Sequence, residues 1–163
     1  MKKVNIAVIG CGRIGQMHAK NVQLHEKTNL ACIYDPNDEF AKKISIDLGI
    51  QAVKNVDEIF NNDEIDAVLI SSPTNTHIDF IEKSVAAKKP VFCEKPIDLD
   101  IHKVNECSKR LEGNTIPIQL GFNRRFDPGH QAAKKSLTNG EIGDLHQCLI
   151  TSVSYTHLTL PTT

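Results

Sequence analysis

Neither sign of charge dominates this sequence: 19 Lys and Arg stand against 20 Asp and Glu, a formal net charge of -1 over 163 residues. A nucleic-acid-binding protein gathers basic residues on one face or stripe, so no nucleic-acid partner is expected. Long apolar runs are also missing. The longest are strand-sized, against the roughly twenty residues needed to cross a bilayer, so no membrane partner is expected either. The opening MKKVNIAVIG has positive charge before apolar residues, but its apolar part is too short for a signal-peptide core and breaks into glycines. A cytoplasmic protein is the expectation. The five cysteines (Cys11, Cys32, Cys93, Cys107, Cys148) are odd in number, scattered, and without Cys-x-x-Cys or Cys/His ligand spacing, which predicts reduced structural thiols and no metal site. No short repeat or low-complexity segment occurs. The length suits one ordinary domain with little left for a second.

What is present begins at Val4–His18, VNIAVIGCGRIGQMH. Its first half is a short apolar run rich in β-branched residues, the pattern of a strand buried on both faces of a parallel sheet. Gly10, Gly12 and Gly15 follow at G-x-G-x-x-G spacing, and from Arg13 a helix is predicted with Ile14, Met17 and Val22 inward. In a strand-to-helix turn the first glycine makes the bend, the second admits a pyrophosphate, and the third lets helix and strand pack closely. Gly10, Gly12, Arg13, Ile14 and Gly15 are therefore the candidate cofactor loop, with helix N-terminal amides facing the phosphates. A second strand, Leu30–Asp35, ends on an acid about twenty residues past the third glycine, where a carboxylate accepts the adenosine ribose hydroxyls. Asp35 favours NAD over NADP, because a 2'-phosphate would meet a like charge. An Asp-Pro turn that merely ends a strand is the competing reading.

The β-α rhythm continues through a helix over Asn37–Leu48 (Phe40, Ala41, Ile44 and Leu48 on one stripe), a short strand at Gln51–Val53, a helical turn at Val56–Phe60, and the apolar strand Ala67–Ile70. Further strands are predicted at Val91–Cys93 and Ile116–Leu120, with a helix over Ile101–Leu111 between them. This alternation predicts an α/β fold, a Rossmann-type doubly wound parallel sheet over residues 1–120. After it come a helix over Gln131–Leu137 and a strand over Asp144–Ile150, the start of a truncated α+β domain over 121–152.

Loops at the carboxyl ends of such strands line the ligand crevice. They hold SSPTNTH (Ser71–His77), PVFCEKP (Pro90–Pro96) and, after the last strand, GFNRRFDPGH (Gly121–His130). Ser72, Thr74, Asn75 and His77 can reach a cofactor there, though Thr74 and Asn75 serve equally as helix caps and His77 as a surface histidine. Glu94 and Lys95 are either a solvated turn pair or a site pair. A lysine beside a sugar hydroxyl donates a hydrogen bond and lowers the cost of losing its proton. Arg124 and Arg125 suit a polyol or phosphate, and equally a solvated surface.

Together, GCGRIGQMH, SSPTNTH, VFCEKP and GFNRRFDPGH followed by GEIGDL resemble the glucose-fructose oxidoreductase / inositol dehydrogenase (Gfo/Idh/MocA) family over Lys3–Ser152, its inositol dehydrogenases above all. The resemblance implies NAD-dependent oxidation of a cyclic polyol hydroxyl (myo-inositol to its 2-keto product), with hydride passing to the nicotinamide. It makes Lys95 catalytic and substrate-binding, puts Thr74, Asn75 and His77 on the nicotinamide side with Ser72 and Glu94 among the cofactor residues, and sets Arg124 and Arg125 near a polyol or sugar substrate. It also implies an Asp and a base His on a second, sheet-rich domain, neither of which can be placed in this chain, and a homo-oligomeric full-length parent. Another sugar or cyclitol dehydrogenase, or a non-catalytic dinucleotide-binding sensor, are the rival readings; retention of Lys95 weighs against the sensor.

The last residues, Val153–Thr163 (VSYTHLTLPTT), continue no preceding pattern and read as the translation of a sequencing-library adapter. The expectation is a non-native tail over 153–163 on a C-terminally truncated product. A natural disordered tail is the alternative, and such tails are usually charged or Pro/Ser-rich.

Overall fold

A computed structural model describes residues 2–151, so Ser152 and the adapter-like segment 153–163 lie outside the described residues. The chain forms two units, Met1–Phe122 and Asn123–Thr163. The first holds five parallel strands, β1 (Val4–Ile9), β2 (Thr28–Tyr34), β3 (Ala67–Ile70), β4 (Val91–Cys93) and β5 (Ile118–Leu120), in the order β2-β1-β3-β4-β5. Parallel neighbours require crossovers, most often helical. These are α1 (Arg13–Leu24), α2 (Asp38–Leu48), α3 (Asp57–Phe60), α4 (His77–Ala86) and α5 (Ile101–Arg110).

Outside β2, the expected strand at Gln51–Val53 is reduced to one parallel bridge between Ile33 and Ala52. The Ile33 N–H donates to the Gln51 carbonyl and the Val53 N–H to the Ile33 carbonyl, both at 3.0 Å. With that bridge counted as a sixth strand, the order is that of doubly wound dinucleotide folds, whose ligand crevice opens where neighbouring connections diverge. Here that point is between the carboxyl ends of β1 and β3.

Strand periodicity divides the core between the two sheet faces. Ala7, Ile9, Cys32, Val68, Ile70, Val91 and Cys93 point to one face with Ile59 of α3 and Ile81 of α4. Val8, Ile33 and Leu69 point to the other, against Ala19 and Val22 of α1 and Ala41 and Ile44 of α2. The buried stripe of α1 is Gly15, Ala19 and Val22, an i, i+4, i+7 set. Met17, expected inward, is 47% exposed, because two residues along a helix from Gly15 turn a side chain roughly 200° away. Small residues on the stripe let α1 lie close against β1.

The helix starts differ in a way that matters for the site. Asn37 caps α2 by accepting the Glu39 N–H at 2.9 Å, and Asp100 caps α5 by accepting the His102 N–H at 2.8 Å. Helix α1 begins at Gly12 with no side-chain cap and no acid in its first turn, so its N-terminal amides and its positive dipole end are left for another acceptor. No helix among the described residues is long and apolar enough to cross a membrane.

In the second unit a 3-10 turn (Asn123–Phe126) leads into α6 (Pro128–Thr138). Asp127 caps α6: its Oδ1 accepts the His130 N–H and lies 3.0 Å from His130 Nδ1, while Oδ2 accepts from Arg124 at 3.2 Å. These bonds, those from His130 foremost, hold its carboxyl down to about 2. The strand expected over Asp144–Ile150 is irregular chain. A strand exists only in the ladder it joins, and among the described residues this unit contains no strand to pair with it.

Cys11, Cys32, Cys93 and Cys107 are buried and Cys148 is exposed. Burial, with Asp35 adding for Cys11 and Glu94 for Cys93, pushes Cys11 and Cys93 up to about 12; burial chiefly pushes Cys32 up to about 11 and raises Cys107. Since the thiolate is the nucleophile, Ellman's reagent at pH 8 is expected to titrate one thiol rapidly in the folded chain. Cys148→Ser should remove that fast phase, and the other thiols should react only after denaturation. A second fast thiol in native buffer would contradict this burial pattern.

Candidate functional site

At the carboxyl ends of β1, β2 and β3 lies a cleft of about 510 Å³. The first strand enters it through Ile9 and Gly10. Gly10 has φ +97°, a left-handed conformation that glycine adopts without penalty, and its N–H donates to the Tyr34 carbonyl at 2.8 Å. A Cβ on Gly10 would run into the backbone of Ser71 and Ser72, and one on Gly15 into the Gly10 carbonyl. Gly12 is different. Its Cβ would meet nothing within 4 Å, and Gly12, Arg13 and Ile14 line the cleft. The chain thus leaves an open space at the uncapped start of α1, the arrangement that receives a phosphate or pyrophosphate.

Asp35 lies at the end of β2, half-buried in the cleft wall. Its Oδ2 accepts the Cys11 N–H at 2.7 Å and its Oδ1 the Asn37 N–H at 2.8 Å. Each oxygen keeps a lone pair, so the carboxylate is held in place and still able to accept hydroxyl donors. The cleft therefore has an anion-receiving end and a hydroxyl-receiving end on the same wall, and these residues fit a dinucleotide.

Across from them, the Ser71 hydroxyl reaches the carbonyls of Ile9 (3.2 Å) and Gly10 (3.0 Å), pinning the glycine turn to β3. The Thr76 hydroxyl donates to the Pro73 carbonyl at 2.7 Å, so the Ser72 hydroxyl, 2.7 Å away, is the donor to Thr76 Oγ1. Ser72, Asn75 and Thr76 line the cleft; Thr74 starts the same 3-10 turn (Thr74–Thr76) without lining it.

His77 sits elsewhere than at the cleft surface. Its ring is 1% exposed, with Nδ1 2.7 Å from the Pro96 carbonyl and Nε2 2.9 Å from the Ser72 carbonyl. Both nitrogens face backbone carbonyls, so neither is left for a cofactor. Glu94, after β4, is turned toward α1: its Oε1 is 2.8 Å from His18 Nε2, and its Oε2 accepts the Lys95 N–H at 3.2 Å. Lys95 is exposed at the same, carboxyl end of the sheet. Arg124 and Arg125 belong to the second unit. Arg124 pairs with Asp127, and the Arg125 carbonyl accepts from Gln131 Nε2 at 3.0 Å.

Several cleft residues carried no sequence signal. Phe40 has helical spacing with Ala41 and Ile44 and reads as core, yet it is 46% exposed and stands in the cleft wall. Tyr34, Pro36 and Phe80 line it as well. His18 was visible only as the last residue of GCGRIGQMH.

The family model GFO_IDH_MocA, described as an oxidoreductase family with an NAD-binding Rossmann fold, matches residues 4–122. The chain is 40% identical over 149 residues to the inositol 2-dehydrogenase of Rhizobium meliloti, covering 91% of this chain and 45% of that protein. It is 38% identical over 143 residues to the scyllo-inositol 2-dehydrogenase (NAD(+)) of Bacillus subtilis, covering 86% of this chain and 42% of that protein. Among solved structures, scyllo-inositol dehydrogenase from Lactobacillus casei with bound cofactor NAD(H) and scyllo-inositol superimposes with a TM-score of 0.81 at 34% identity, covering 88% of this chain and 43% of that one. The chain spans less than half the length of these relatives.

Proposed function

The chain belongs to the Gfo/Idh/MocA oxidoreductase family, the matched region being an NAD-binding Rossmann fold, and from this premise we propose that it is the cofactor-binding part of a dehydrogenase acting on a ring hydroxyl of a cyclic polyol, myo-inositol at its 2 position foremost. The observation that carries the reading is the pairing, in one cleft, of an open uncapped helix start at Gly12 with the amide-fixed carboxylate of Asp35. The substrate class rests on the relatives, several of which are inositol dehydrogenases.

The first-turn amides of α1, with Gly12, Arg13 and Ile14, hold the pyrophosphate. Gly10 and Gly15 shape that turn, and Asp35 accepts the adenosine ribose hydroxyls. Ser72, Thr74 and Asn75 flank the nicotinamide side, where the bound NAD supplies the hydride acceptor. Lys95 sets its ammonium beside the substrate hydroxyl, where a positive charge favours the oxygen as its proton leaves. Glu94 and His77 hold the loops that carry these groups.

Fluorescence titration tests the cofactor assignment. Saturable NADH binding, displaced by ADP-ribose and about tenfold or more tighter than NADPH binding, is the expected result, since a 2'-phosphate would face the Asp35 carboxylate. Equal affinities, or no saturable binding, would overturn it. The same preparation should form no NADH from NAD and myo-inositol, because the base-bearing residues implied by the family resemblance belong to the span of the relatives that this chain does not match.

A further inference from the structure

The turn Glu94–Pro96 is tied down on both flanks by imidazoles, neither of which lines the cleft. On one flank His18, from the second turn of α1, meets Glu94: Nε2 and Oε1 are 2.8 Å apart, with side chains only 15% and 21% exposed. The Phe92 ring meets His18 edge-on at 5.5 Å. Gly121 leaves room for the carboxylate, since a Cβ there would lie 3.2 Å from its Cδ and both oxygens. On the other flank the buried His77 ring stands between two carbonyls, with Nδ1 2.7 Å from that of Pro96 and Nε2 2.9 Å from that of Ser72. The residue between, Lys95, gives its own N–H to Glu94 and leaves its side chain exposed.

Burying an imidazole in place of an apolar side chain carries a desolvation cost that hydrogen bonds must offset. Apolar residues would fill either position without that cost. What they could not do is fix the direction of a turn, which directional bonds at both ends accomplish. The partners are also informative. His18 rides on the helix whose first turn forms the anion-receiving end of the cleft, and Ser72 stands in the opposite wall.

We infer that His18 and His77 are positioning residues that set Lys95 at a defined place relative to the cofactor cleft, His18 through Glu94 and His77 through Pro96. The inference rests on the proposed cofactor reading, in which the turn stands at the nicotinamide end. His18→Leu removes the bond and keeps an apolar filler; His18→Gln restores an N–H donor near the Nε2 position.

Two measurements on the full chain decide it. In the ligand-free protein, hydrogen exchange over residues 93–97 should accelerate about tenfold or more in His18→Leu and return toward wild type in His18→Gln. In titrations, His18→Leu should weaken NADH about tenfold while ADP-ribose, which lacks the nicotinamide, stays within about twofold. His77→Leu should behave alike, and if it does not fold the His18 pair decides alone. Equal loss of both ligands, failure of His18→Gln to rescue, or unchanged exchange would overturn the inference. If the wild type binds neither ligand, the cofactor reading has failed, and the exchange comparison still decides whether His18 holds the turn.

Discussion

Gly12→Ala is expected to leave the chain folded and to lose NADH binding by about a hundredfold or more, whereas Gly15→Ala is expected to destabilise the fold itself. The positions are three residues apart in one loop, and only the surroundings of the missing Cβ separate them. At Gly12 the backbone has φ -66°, open to any residue, and a Cβ would meet nothing of the protein within 4 Å. Folding should therefore change by no more than about 1 kcal/mol, the scale of exchanging glycine for alanine at a helix start. The added methyl instead enters the space proposed to receive a pyrophosphate and would screen the α1 amides from it; about 2.7 kcal/mol of lost contact corresponds to a hundredfold in affinity. At Gly15 the Cβ would overlap the Gly10 carbonyl. Backbone, unlike the end of a flexible side chain, cannot step aside without moving β1 or α1, and such overpacking costs about 3 kcal/mol or more. Urea unfolding and NADH titration of the two variants check both halves. Parallel behaviour in both assays would contradict the division of roles.

Removing the Asp35 carboxylate should have the second large effect, and its two roles are separable. Asp35→Ala leaves the Cys11 and Asn37 amides without their present acceptor, at a cost of about 1 to 3 kcal/mol in stability for whatever part water does not replace. It also removes the acceptor proposed for the ribose hydroxyls, for an expected fall of about a hundredfold in NADH affinity. Asp35→Asn keeps one acceptor oxygen and discards the charge. It should retain more stability and, with the like charge gone, bring NADPH affinity close to that of NADH. Titration with both cofactors reads the ratio directly. An unchanged preference for NADH in Asp35→Asn would mean that charge at this position does not set cofactor choice.

Much of this was legible in the chain before folding. Short β-branched runs alternating with amphipathic stretches determined a parallel doubly wound sheet, because each run is too apolar for a one-faced strand and each stretch has a helical period. The glycine spacing and an acid at the end of the next strand pointed to where a dinucleotide is proposed to bind, since both sit on elements that follow one another directly and local geometry places them. Tertiary structure decided what depends on distant partners. Met17 and Phe40 have core-like spacing but face outward, because the tight approach of α1 to β1 and the opening of the cleft set which part of each stripe is covered. Gln51–Val53 contributes one bridge, and Asp144–Ile150 none among the described residues, because a strand is completed by its neighbour. His18 and Glu94 are 76 residues apart in sequence, and His77 reaches Pro96 across 19. No period or motif spacing encodes such a meeting; it follows from parallel strands that bring the carboxyl ends of β1, β3 and β4 to the same end of the sheet, where the helix and loops that follow them must share the same space.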